Sequence, residues 1–265
     1  AYEGFFTITS KRERPSTGSS QQEALIPLTE LQPYYSVIDW AHFEAAKLVK
    51  KTLRDLRRVA PSAEYRLSCS SDGSAVWKGI EHYQSGNWLT TRYLEMLKQA
   101  HDDISLNFKL HAIELYEVTK TNHDEGGSFP RDSGGASDDE PSSRRGTLVA
   151  GEIGYSIGEI YTSLSGFSTR DNREGASPEL GADGPVSAGT NPSLGSSSAI
   201  RPKPPGVGTT QLVLLGRWLQ LHGYTFWSMG HCYSPQMDYK RRLGHRVLPR
   251  VDFLSRLSER RGVFR

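Results

Sequence analysis

Residues Leu148–Phe167 constrain the fold most, because they form an apolar, β-branched stretch held between two segments with almost nothing to bury. Two runs, Leu148–Ile153 and Ile157–Phe167, are joined through Gly151, Gly154 and Gly158. This pattern predicts a β-hairpin whose glycines admit bulges or the close approach of a ligand. The flanking segments, 119–146 and 169–208, are rich in Gly, Ser, Pro, Asp and Glu, with Phe129 as their one aromatic. Such composition does not offset chain entropy, so both are expected to be disordered inserts within the domain. They also account for a hydrophobic content of only 36% across 265 residues.

The rest of the chain alternates strands and helices. Pro27 and Pro33 favour strand or loop over helix in 24–40. Tyr65–Cys69 reads as a strand, Ala75–Tyr83 and Thr91–His101 as helices, and Leu106–Val118 as a further strand. After the hairpin, Thr209–His222 predicts a helix with Gly223 as its C-terminal cap. A strand at Tyr224–Ser228, a short helix at Asp238–Leu243 and a strand at Arg246–Leu248 follow. Pro249 is placed to begin a final helix packed by Phe253, Leu254 and Leu257. This order predicts a mixed α/β sheet with helices on its faces.

One predicted helix is unusual in its charge. Asp39 is positioned to cap a helix over Ala41–Val59, with Ala45, Leu48, Val49, Thr52, Leu53, Leu56 and Val59 as its buried stripe. Its other face carries Lys47, Lys50, Lys51, Arg54, Arg57 and Arg58. A solvated helix face and a surface that tracks phosphates both fit this pattern.

Several chemistries find no support. There is no phosphate-binding Walker loop, no strand-linked G-x-G-x-x-G and no G-x-S-x-G elbow. His222, His231, Cys232 and His245 lie near one another in sequence, but their spacing fits no zinc pattern, so no metal is expected. Two cysteines are too few for a disulfide framework, which suits a reducing compartment. No apolar run approaches the length of a membrane span. The sequence starts at Ala1 without a Met, which leaves targeting unreadable.

An ordered set of motifs resembles the leucyl/phenylalanyl-tRNA–protein transferases, especially their eukaryotic branch. Gly4-Phe5-Phe6 is similar to the family's N-terminal G-F-hydrophobic-P stretch, with Thr7 where Pro is usual. Tyr65-Arg66-Leu67 and Gly86-Asn87-Trp88-Leu89-Thr90 resemble Y-R-V and G-T-W-I-T. Leu148-Val149-Ala150-Gly151-Glu152-Ile153-Gly154 resembles L-V-G-G-x-x-G, and Gly158 to Ser168 resembles the strand after it. Leu243-Gly244 and Leu248-Pro249-Arg250-Val251-Asp252-Phe253-Leu254 resemble L-G and I-P-R-x-E-F-L.

The resemblance implies a GNAT-like α/β fold: a mixed sheet flanked by helices, with a small N-terminal part over 1–64 that carries the basic helix, and an aminoacyltransferase domain over 65–265. It implies transfer of a Leu- or Phe-like amino acid from aminoacyl-tRNA to the N-terminal amine of acceptor proteins that begin with basic residues, marking them for degradation. No cofactor is implied, and a cytoplasmic monomer is expected. Lys47, Lys50, Lys51 and Arg54 fall where the family's tRNA-binding residues lie. Trp88 would line an aminoacyl pocket whose wall is the hairpin, with Glu152 on one strand and Leu164 and Phe167 on the other.

Two departures bear on the chemistry. Leu164 stands where the bacterial members have the Glu that meets the α-amino group, and Glu152 is the nearest acid on the hairpin. Ser228 and Gly230 stand where bacterial members have a D-x-Q pair, and a Ser is no base at neutral pH without help. Asp238 and His231 are the candidates to take over the proton. Two alternatives follow: a tRNA-binding member that has lost its chemistry, and an acyl-CoA acetyltransferase, for which no phosphate loop is legible around Arg170-Asp171-Asn172-Arg173.

Overall fold

The computed structural model describes residues 6–12, 24–30, 32–60, 63–84, 88–119, 146–169, 206–230 and 238–262. Most of both predicted inserts, and Gly4, Gly86, His231 and Cys232, lie outside the described residues. The first two strands, β1 (Phe6–Arg12) and β2 (Ala24–Glu30), pair antiparallel as a separate two-stranded sheet.

A mixed seven-stranded sheet organises the remainder, in the order β4-β5-β6-β7-β8-β3-β9. Its strands are β3 (Tyr34–Ile38), β4 (Ala63–Ser70), β5 (Phe108–Thr119), β6 (Thr147–Ile157), β7 (Ile160–Ser168), β8 (Phe226–Ser228) and β9 (Arg246–Pro249). Neighbours are antiparallel except β7 and β8, which run parallel and are joined through helix α5 (Val207–Leu221). Strand β3 pairs with both β8 and β9. The expected boundary at residue 64 therefore falls inside this arrangement, because 34–60 shares the sheet and core of the later chain.

Helices cover both faces. On one face α3 (Ser74–Tyr83) and α4 (Thr91–Asp102) bury Val76, Ile80, Leu94 and Leu97 against Ile153, Tyr155 and Phe167. The last helix, α7 (Arg250–Arg260), packs Phe253 and Leu257 on Tyr35, Val37, Ile160 and Phe226. On the other face α1 (Trp40–Ala45), α2 (Lys47–Val59) and α5 enclose Phe43, Val49, Leu215, Tyr161 and Trp227. Burial of these side chains supplies the main favourable free energy of folding.

The predicted hairpin forms, but its turn lies later than the two runs suggest. β6 continues through Gly151 and Gly154, and the chain reverses at Gly158-Glu159, between the paired residues Ile157 and Ile160. Gly158 has φ 56°, a conformation that costs other residues free energy. The expected bulge sits at Ile153/Gly154, where the register shifts and leaves Leu164 as the extra residue of β7. Close approach at Gly154 comes from the Tyr161 side chain, whose hydroxyl lies where a Cβ would be.

The basic helix also departs from expectation. It is broken at Ala46, whose ψ of 130° is extended. In a continuous helix Phe43 and Val49 would lie about 120° apart around the axis. The break lets both enter the same core. Ala45 consequently leaves the predicted stripe and is exposed, while Val49, Thr52 and Val59 are buried. Asp39 precedes α1 but makes no capping bond; its carboxylate meets Arg256 at 2.5 Å and Arg246 at 3.6 Å. Pro249 stands at the N-cap of α7 rather than in its first turn.

The ring of Phe43 occupies the space where a side chain at Gly216 would project. Gly216→Ala is expected to lower stability by about 1–3 kcal/mol through this overpacking, outweighing the roughly 1 kcal/mol gained in helix propensity. A fall in the midpoint of urea unfolding checks it.

Candidate functional site

Strand alternation sorts the hairpin side chains between the two faces. Gly151 and Ile153 face α3, so Glu152 faces α5. There it is buried, with 5% of its surface exposed. The hydroxyls of Tyr161 and Ser163 donate to its Oε1 at 2.9 and 2.6 Å. Its Oε2 has no hydrogen-bond partner among the described residues. Trp227 donates from Nε1 to Ser163 Oγ at 2.8 Å, which ties β8 into the same cluster. Burial pushes the Glu152 carboxyl up to about 7, against the two hydroxyl donors and the Lys240 ammonium, which favour the carboxylate. A carboxyl poised there can both take and give a proton at neutral pH.

Lys240 belongs to α6 (Asp238–Arg242), a short helix between β8 and β9. Its side chain is buried and donates to the Met229 carbonyl at 2.6 Å. The next two residues turn the other way. Arg241 and Arg242 join Ala46, Lys47, Leu48, Lys51 and Gly244 around a cleft of about 500 Å³ between α6 and the start of α2. Lys47, Lys50, Lys51, Arg54, Arg57 and Arg58 are all exposed. Within the described residues Lys47, Lys50, Lys51 and Arg242 make no ion pair, whereas Asp55 lies within 4 Å of Arg54 and Arg58. His245, next to Gly244, shares a 2.6 Å hydrogen bond with Ser36 Oγ; burial, Lys240 and Arg241 together hold its pKa down, so it adds no charge to the cleft at neutral pH.

A second polar pair lies deeper beneath α5. His111 Nε2 bonds Ser156 Oγ at 2.9 Å, and its Nδ1 is 3.6 Å from Cys69 Sγ. Burial pushes the imidazole down to about 4, and burial with Glu114 pushes the thiol up to about 11. At neutral pH the pair is a neutral imidazole and a thiol, not an activated thiolate.

The residues predicted from sequence separate into groups. Trp88, Leu164 and Phe167 share the core under α3 and α4, where Phe167 stacks on Tyr83 with centroids 5.5 Å apart and Trp88 lies 5.8 Å from Tyr93. Glu152 is on the opposite face and does not join them. Lys47, Lys50, Lys51 and Arg54 are together on the exposed side of α2. Ser228, paired in register with Val37 and Thr162, is fully buried, and its Oγ has no hydrogen-bond partner. The core places it on the α7 face with Val37, away from Glu152. Gly230 has φ 70°, and its carbonyl accepts from Ser36 N at 2.8 Å. Asp238 is exposed and bonds Arg241 at 2.7 Å, away from the Glu152 cluster. The sequence did not reveal Tyr161 and Ser163 as hydrogen-bond donors to Glu152, Trp227 as the donor behind Ser163, Lys240 as the nearby charge, or Arg241 and Arg242 as neighbours of α2. The period-2 spacing of Tyr161 and Ser163 was the available signal.

Among the described residues no three His, Cys, Asp or Glu side chains converge as metal ligands, and no helix is long and apolar enough to cross a membrane. No protein-family model matches the chain, and no curated protein matches it.

Proposed function

We propose that this protein is a GNAT-like aminoacyltransferase that moves an amino acid from aminoacyl-tRNA to the N-terminal amine of an acceptor protein. The observation that carries this reading is the double role of α6. Lys240 points into the buried Glu152 cluster, while Arg241 and Arg242 line a cationic cleft with α2. Three consecutive residues thus connect a cationic cleft to a buried carboxyl that titrates near neutrality, which supports this reading. The mixed sheet, with α5 crossing between the parallel strands β7 and β8, is compatible with the fold this reading needs.

In this reaction the acceptor's neutral amine attacks the ester carbonyl of the charged tRNA. The new C–N bond forms, the bond to the 3′ oxygen breaks, and the 3′ hydroxyl leaves with a proton. Glu152, as carboxylate, accepts the amine proton on Oε2. The ester is already activated, so holding both reactants together supplies much of the barrier reduction.

The test is label transfer from a set of charged tRNAs to peptides beginning with Arg or Lys. Transfer from leucyl- or phenylalanyl-tRNA is the expected result; none from any charged tRNA overturns the reading. A second reading, a tRNA-binding protein without chemistry, is favoured by the Ser228 hydroxyl, which has no group to activate it. It predicts tRNA binding with no transfer.

A further inference from the structure

We infer that the cleft between α2 and α6 is a phosphate site at one end of a cation track, and that Arg241 and Arg242 are RNA-contacting residues. Four cations from two separate elements meet there: Lys47 and Lys51 from α2, Arg241 and Arg242 from α6. Cations converging on a concave surface from two sides hold an anion better than a flat face does, because the cleft concentrates their field. Guanidinium groups add paired donors matched to phosphate oxygens.

The chemistry of the anion follows from what lies beyond the cleft. Lys50, Arg54, Arg57 and Arg58 continue the positive surface along α2, whose 13 residues span about 20 Å. A small phosphate compound would be satisfied by the cleft alone. A nucleic-acid backbone uses the whole track, one phosphate in the cleft and others along the helix. Asp238 fits the same picture. Its carboxylate binds Arg241 in an exposed pair, a weak interaction that a phosphate can replace. The identity of the RNA rests on the tRNA-dependent reading above; the phosphate site itself does not.

The experiment measures affinity of the full chain for an uncharged tRNA transcript at several salt concentrations, with coenzyme A as a small diphosphate competitor. Replacing both arginines by alanine (R241A/R242A) is expected to weaken tRNA binding tenfold or more and to reduce the slope of log K against log salt by about 1–2. The R241K/R242K variant is expected to recover most of the slope, which a merely misfolded variant would not. Asp238→Asn is expected to tighten binding a few-fold by removing the competing carboxylate. If the wild type binds tRNA but R241A/R242A matches it in affinity and slope, the cleft assignment is overturned while the proposed function stands. If coenzyme A binds through these arginines and tRNA does not bind, both the RNA assignment and the tRNA-dependent reading fall.

Discussion

Glu152→Gln is expected to slow aminoacyl transfer by a factor of about 10²–10⁴, the usual contribution of a positioned general base. The substitution is nearly isosteric and keeps an oxygen to accept from Tyr161 and Ser163, so the cluster retains its shape. What it removes is the group that receives the amine proton. Affinity for tRNA is expected to stay within about twofold, because the cationic cleft and the face of α2 are untouched. The pH profile makes the test specific. Transfer requires Glu152 ionised, with its carboxyl at about 7, and the acceptor amine neutral, with an ordinary pKa near 7.7–8. On the acid limb the wild-type log kcat/KM therefore rises with a slope approaching 2. In Glu152→Gln only the amine titrates, and the slope falls to 1. A variant that loses rate but keeps the steeper limb would assign the proton to another group.

The bulge at Ile153/Gly154 explains why the fold was largely legible in the sequence and the site was not. β-branched and aromatic runs identified the strands, and helical spacing identified α3, α4 and α5, because those signals are local. Which face a strand residue occupies depends on register. Had the hairpin run without its extra residue, Phe167 would pair with Ala150 and share the face of Glu152. With Leu164 inserted, Phe167 pairs with Gly151 and turns to the other side. A pocket containing Glu152 and Phe167 together was therefore a reasonable expectation that a single inserted residue undoes, whereas Leu164 faces away from Glu152 in either register.

The break between α1 and α2 was hidden for a related reason. Phe43 seats itself over Gly216, more than 170 residues away in the chain, and no local periodicity encodes that contact. The insertion of β3 between β8 and β9 is equally non-local. Arg241 and Arg242, by contrast, were visible as charges on a short helix. Only the three-dimensional structure puts them opposite Lys47 and Lys51.

Two buried groups are expected to give stability opposing pH dependences that nearly cancel in the wild type. Folded Glu152 holds its proton to about 7 instead of the ordinary 4.5. Its contribution is full below pH 4.5 and is lost as pH rises through 7, so stability falls with pH across that window. His111 behaves in the opposite sense, with its folded pKa near 4 instead of 6.5. Its contribution is full above pH 6.5 and is lost as pH falls through 4, so stability rises with pH there. Each displacement corresponds to about 3 kcal/mol. Between pH 4.5 and 6.5 the two slopes oppose each other, and these groups leave the wild-type stability nearly flat. Glu152→Gln unmasks the histidine: its stability relative to wild type is expected to climb by about 3 kcal/mol from pH 4.5 to 7. His111→Gln unmasks the carboxyl: its stability relative to wild type is expected to fall by about as much from pH 4 to 6.5, so that it is greatest at the acid end. Urea unfolding at half-unit pH steps measures both curves, and taking differences from wild type removes the exposed carboxylates common to all three proteins. Curves that run parallel to wild type would mean that neither group is held in its buried, neutral form.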